Sequence, residues 1–141
     1  MNRTDFFSAL RTIEDFHRLL EDEGIHNAGQ QRPFGILRIE GRGVERARDL
    51  LFLYRLVAGV LRRSDRVVAV GGTGLAVLLR DADAARVDAV ASRVRSAVSQ
   101  SARFRLQLGG ASVGPRAGGW EEAWRMAGAL LVADGSIPAA A

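Results

Sequence analysis

Two apolar runs that meet at a glycine-rich turn constrain this chain more than any other feature. Val67 to Val70 is a short β-branched run, Leu75 to Leu79 is a second apolar run, and Gly71-Gly72-Thr73-Gly74 separates them. Runs of this length around such a turn form a hairpin, because glycine reaches backbone angles that tight turns demand. Upstream, Phe34 to Glu40 (FGILRIE) reads as a strand, and Val44 to Leu61 as a helix apolar enough to be largely buried. Arg62-Arg63-Ser64-Asp65 breaks that helix.

Downstream, Asp81 or Asp83 caps a helix to about Val98, with Val87, Val90, Ala91, Val94 and Val98 facing inward. Phe104, Leu106 and Leu108 alternate with Arg103, Arg105 and Gln107, as in a half-buried strand. Trp120 to Val132 is the last helix, with Glu121 and Glu122 at its positive end. Thr4 to Glu23 is a leading helix with Thr4 as cap, and Gly24 ends it before a polar loop from Ile25 to Pro33. Phe6, Leu10, Ile13, His17 and Leu20 form a short a/d seam on it, broadened by Phe7, Phe16 and Leu19. That seam serves either packing on its own domain or dimerisation. The order is α-β-α-β-β-α-β-α. Within it lies βαββαβ, an α/β (α+β) ferredoxin- or palm-type core with a mostly antiparallel sheet and helices on one face. The expected organisation is an N-terminal helix and loop over 1–33, one domain over 34–135 and a frayed tail over 136–141.

Composition narrows the function. At 141 residues and 48% hydrophobic, the chain can bury one domain's core. No run of 18 apolar residues spans a membrane, and Met1 to Asp5 opens no signal peptide. The absence of cysteine excludes disulfide and thiolate chemistry and fits a cytoplasmic protein. All 20 basic residues are Arg, with 16 of them against 10 acids over residues 34–141, and four against six acids over residues 1–33. They are scattered and aromatics are only 6%, so a nucleic-acid stripe is not expected. Anionic small ligands suit scattered guanidiniums better. His17 and His26 have no ligand spacing, so no metal is assigned. Trp120 and Trp124, spaced i, i+4, are packing residues, and neither a Ser-His-Asp constellation nor a GxxxxGK[ST] loop is legible.

The segment Arg62 to Leu79, RRSDRVVAVGGTGLAVLL, resembles the centre of the GGDEF family of diguanylate cyclases. That family has RxxD, five residues, then GG[D/E]EF on a strand-turn-strand. Here Arg62-x-x-Asp65 is followed at the same spacing by Gly71-Gly72-Thr73-Gly74-Leu75. FGILRIE is similar to the family's first strand, Val87 to Val98 to its next helix, Leu106 to Ala111 to its late strand and Ala127 to Ala133 to its closing helix. The resemblance covers about residues 34–135 and implies a bacterial signalling domain.

The departures from the pattern imply that the chain is no enzyme. Where the family holds magnesium with an Asp on strand one, this chain has Arg38, and Glu40 stands alone nearby. Both signature acids are replaced, by Thr73 and Gly74. Magnesium needs hard oxygen ligands, and a guanidinium repels it; a unit-charge contact at ~4 Å and effective dielectric ~20 is worth about 4 kcal/mol. Gly41-Arg42-Gly43-Val44 leads straight into the helix, without the family's guanine-recognising Asn and Asp. Asp134 stands at the triphosphate-binding Lys.

What the resemblance leaves is an inhibitory-type cyclic di-GMP site, implied at Arg62, Asp65 and Arg93. Two arginines there fork onto phosphates or guanine O6 and N7, and Asp65 accepts from guanine N1 and N2. The plainer reading is equally open: Arg62 at a helix C-terminus, Asp65 in a turn and Arg93 on a solvent face need no ligand. The expectation is a catalytically inactive regulatory domain with no cofactor. It either binds cyclic di-GMP or acts without nucleotide, as a homodimer or on a partner protein through its N-terminal helix.

Overall fold

A computed structural model describes residues 13–30, 32–101, 103–114 and 119–132. In chain order these form α1 (Ile13–Gln30), β1 (Phe34–Arg42), α2 (Ala47–Ala58), β2 (Arg66–Val70), β3 (Gly74–Arg80), α3 (Ala84–Ser101), β4 (Arg105–Val113) and α4 (Trp120–Val132). The strands make one sheet in the order β2-β3-β1-β4, and every pairing in it is antiparallel. β1 is therefore central, which explains its nearly unbroken apolar run: both of its faces are covered. Leu37 and Ile39 join Leu53, Val57, Val90 and Val94 beneath α2 and α3. Phe34 and Ile36 join Phe16, Leu20, Trp120 and Trp124 beneath α1 and α4. The two βαβ-type helices lie on one face as the pattern predicts, and the two outer helices cover the other. Each large side chain fully buried this way is worth roughly 1.5–3 kcal/mol.

Two sequence expectations change, and one open alternative is settled. The leading helix does not stop at Gly24 but continues to Gln30, so the predicted polar loop is mostly helix. Gly24 is buried, and the ~1 kcal/mol propensity cost of a mid-helix glycine is outweighed by burial of Phe16 and Leu20 on the same helix. Those two residues pack on their own chain, with the Phe16 and Trp124 rings 5.4 Å apart. Phe6, Phe7, Leu10, the Thr4 cap and the tail lie outside the described residues, as does the side chain of Ile13. The helix after β1 spans Ala47–Ala58 rather than Val44 to Leu61: Val44 is buried in the approach to it, and the helix closes at Gly59, whose N donates to Arg55 O. Asp83, not Asp81, caps α3 by accepting from Arg86 N at 2.9 Å. Asp81 has φ 51°, a region that Asp tolerates, and it pairs with Arg32 at 3.5 Å.

The start of α2 is held by Asp49. Its Oδ2 accepts from Glu45 N (3.2 Å) and Arg46 N (3.1 Å), and its Oδ1 from Arg103 Nη2 (2.9 Å). The Glu45 bond first, then the Arg46 bond and the Arg103 and Arg48 charges, hold the Asp49 carboxyl below its usual value, against a desolvation effect. A depressed folded-state pKa contributes stability above the unfolded carboxyl pKa that is lost as pH falls through the folded value. Urea unfolding at neutral and acidic pH checks this: Asp49→Asn is expected to be less stable than wild type at neutral pH, and the gap to narrow on acidification.

Candidate functional site

The first cluster lies where β1 and the β2–β3 hairpin meet α4. Alternation along β1 places Phe34, Ile36, Arg38 and Glu40 on the α4 side of the sheet. Arg38 lies under α4: its guanidinium carbon is 4.0 Å from the Trp124 ring centroid, and Nη1 donates to Trp124 O at 3.4 Å. Gly128 makes room for it, since a Cβ there would lie 3.1 Å from Arg38 Cζ and closer still to Nη1. Burial lowers the Arg38 pKa, and the Glu40 carboxylate acts in the opposite direction. Stacking of a partly desolvated guanidinium on Trp contributes about 1–2 kcal/mol.

Glu40, the acid on the same face of β1, is also committed. The Thr73 hydroxyl donates to Glu40 Oε1, and the turn is tied to β1 by Gly41 N donating to Thr73 O at 3.1 Å. Gly74 faces Glu40 across the β1–β3 pairing. A Cβ at Gly74 would lie 2.7 Å from Glu40 Oε2 and 2.9 Å from Ile39 O, so the backbone leaves no space for a side chain. The cavity bounded by Arg38, Glu40, Val70, Gly74, Trp124 and Leu131 measures about 40 Å³, well below the ~300–1,000 Å³ of small-molecule sites.

The second cluster is the α2–β2 turn. Asp65 accepts from Arg62 N through Oδ2 at 2.9 Å and from Arg80 N through Oδ1 at 3.2 Å. Its side chain is 0% exposed, whereas that of Arg62 is 46% exposed. Arg62 Nη2 donates to Arg80 O at 2.6 Å, while Arg62 Nε is 3.9 Å from Asp65 Oδ2. The structure thus joins two of the three residues singled out in the sequence. Arg93 is exposed on α3, and among the described residues no hydrogen bond or ion pair links it to Arg62 or Asp65. Asp134 lies outside the described residues. Sequence reasoning missed Arg80 and Glu23, which complete this second cluster: Glu23 Oε1 accepts from Arg80 Nε at 3.0 Å. The available signal was an acid on the apolar stripe of α1, in helical register with Phe16 and Leu20.

This fold superposes on several solved structures. The GGDEF domain of FimX from Pseudomonas aeruginosa superposes with a TM-score of 0.77 at 16% identity, over 91% of this chain and 93% of that one. The GGDEF domain of YfiN (TpbB) from the same organism gives 0.74 at 21% identity, over 91% and 88%. The GGDEF domain of DgcB from Caulobacter crescentus, solved in complex with c-di-GMP, gives 0.73 at 13%, over 91% and 90%. The chain has the GGDEF fold. No family sequence model matches it, and no curated protein does. The hairpin that the sequence resemblance matches to the family's signature is β2–β3, with Gly71 and Gly72 in its turn. Magnesium does not suit the first cluster: it offers one carboxylate, bonded to a hydroxyl and faced by a guanidinium. Among the described residues no three His, Cys, Asp or Glu gather into a possible metal site, and no helix is long and apolar enough to cross a membrane.

Proposed function

We propose that this chain is a GGDEF-fold regulatory domain without cyclase activity, acting through contacts with protein rather than through nucleotide turnover. The observation that carries the reading is Arg38: a strand-one guanidinium stacked on Trp124 and bonded to Trp124 O, where the resemblance implies a metal-binding carboxylate. Glu40 bonded to Thr73, and the lack of space at Gly74, support it further. The outer face of α1, with Glu14, Glu21, Asp22 and Ile25 exposed, is the surface offered to a second copy or a partner protein.

A second reading is a cyclic di-GMP receptor at Arg62, Asp65 and Arg93. It is favoured by the half-exposed Arg62 guanidinium and by the bound c-di-GMP of the similar DgcB domain. Against it, both Asp65 oxygens are bonded to backbone N–H groups and turned away from solvent, so the acceptor for guanine is already used.

One set of measurements on the purified chain separates these readings. With GTP and magnesium, no cyclic di-GMP is expected above a no-protein control, and Thr73→Asp with Gly74→Glu should not restore it, because Arg38 remains. Calorimetric titration with cyclic di-GMP is expected to be flat to high micromolar concentration. Turnover by the wild-type chain overturns the silent-cyclase reading. Micromolar binding, about −8 kcal/mol, that is lost in Arg62→Ala would put the receptor reading first.

A further inference from the structure

The N-terminal helix and the α2–β2 turn meet at one residue, Arg80. From its side chain, Nε holds the Glu23 carboxylate of α1 at 3.0 Å, with the Glu23 side chain 6% exposed. From its backbone, N donates to Asp65 Oδ1 at 3.2 Å and O accepts from Arg62 Nη2 at 2.6 Å. Arg80 ends β3 and pairs with Phe34, the first residue of β1 and so close to the exit of α1. The neighbouring Arg32–Asp81 pair is exposed on both sides and adds little.

We infer that Arg80 couples the α2–β2 turn to the N-terminal helix, so that the position of Arg62 governs how firmly Glu23 holds α1. An acidic group drawing the Arg62 guanidinium away removes the donor from Arg80 O and loosens the end of β3. The Arg80 guanidinium then shifts relative to a carboxylate that is buried on an apolar stripe. A buried carboxylate tolerates loss of its partner poorly, because little water reaches it. The turn and the helix are thus linked through hydrogen-bonded groups that meet at Arg80. The regulatory role of this link rests on the reading proposed above; the link itself requires no ligand, so a flat cyclic di-GMP titration leaves it intact.

A double-mutant cycle on the full chain tests it, with folding constants from urea unfolding of wild type, Glu23→Gln, Arg62→Ala and the double variant. The loss caused by Glu23→Gln is expected to be at least about threefold smaller, in folding constant, when Arg62 is already Ala. A control cycle of Glu23→Gln with Arg103→Ala, which pairs with Asp49 instead, should multiply independently. Independent effects in the Glu23–Arg62 cycle overturn the inference. Should Arg62→Ala not fold, Arg62→Lys is examined by amide exchange. Faster exchange over residues 16–23 together with the end of β3 supports the coupling, and unchanged exchange in α1 overturns it.

Discussion

Gly109→Ala is expected to destabilise the domain by about 3 kcal/mol or more, at the upper end of overpacking effects. Gly109 lies on β4 where α4 crosses closest. An added Cβ would strike the Ala127 carbonyl oxygen, with Ala127 C and Leu131 N each at 3.0 Å. All three are backbone atoms, so no side-chain rotation relieves the contact. Either α4 lifts from the sheet or β4 bends, and both disturb Trp124, which packs at a tilt against Phe16 and carries the Arg38 guanidinium over its ring. The urea midpoint should fall sharply, and Trp fluorescence should report a changed environment. Gly114→Ala is the matched control: an added Cβ there meets nothing within 4 Å, so its effect should stay within about 0.5 kcal/mol. A Gly109→Ala protein as stable as wild type would mean that α4 and β4 do not approach this closely.

Asp65→Asn is expected to cost about 2–4 kcal/mol of folding stability, whatever the chain binds. Both carboxylate oxygens accept from backbone N–H groups, of Arg62 and of Arg80, in a side chain with no exposure. Asparagine keeps one acceptor and turns an NH₂ toward the other donor, leaving a buried N–H unpaired. That penalty alone is about 1–3 kcal/mol, and loss of a charge-assisted bond adds to it. Arg93→Ala, on an exposed helix face, should shift stability by no more than about 0.5 kcal/mol. Denaturant unfolding of the two variants therefore separates a turn staple from a ligand-only residue. An Asp65→Asn protein with unaltered stability would return Asp65 to the ligand-binding reading.

The order of elements was legible in the sequence because its signals are local. Period-two alternation in Phe104 to Leu108, the apolar runs around Gly71 to Gly74 and the boundaries of Trp120 to Val132 depend on neighbouring residues, and strand and helix form there. The same local reading failed at Gly24, where propensity favours a stop but the tertiary burial of Phe16 and Leu20 carries the helix onward to Gln30. In the candidate site the sequence by itself places Arg38, Thr73 and Gly74 where the resemblance implies carboxylates. Only the tertiary structure decided what those residues do instead. Arg38 finds Trp124 O, 86 positions along the chain, and Asp65 turns inward onto Arg80 N, 15 positions away. Arg80 in turn reaches Glu23, 57 positions back. A charged side chain in a turn faces water unless distant backbone donors come within about 3 Å of it. Which donors do so is set by the antiparallel register of β3 against β1 and by the seating of α1 and α4 on the sheet, and neither can be read from local sequence pattern.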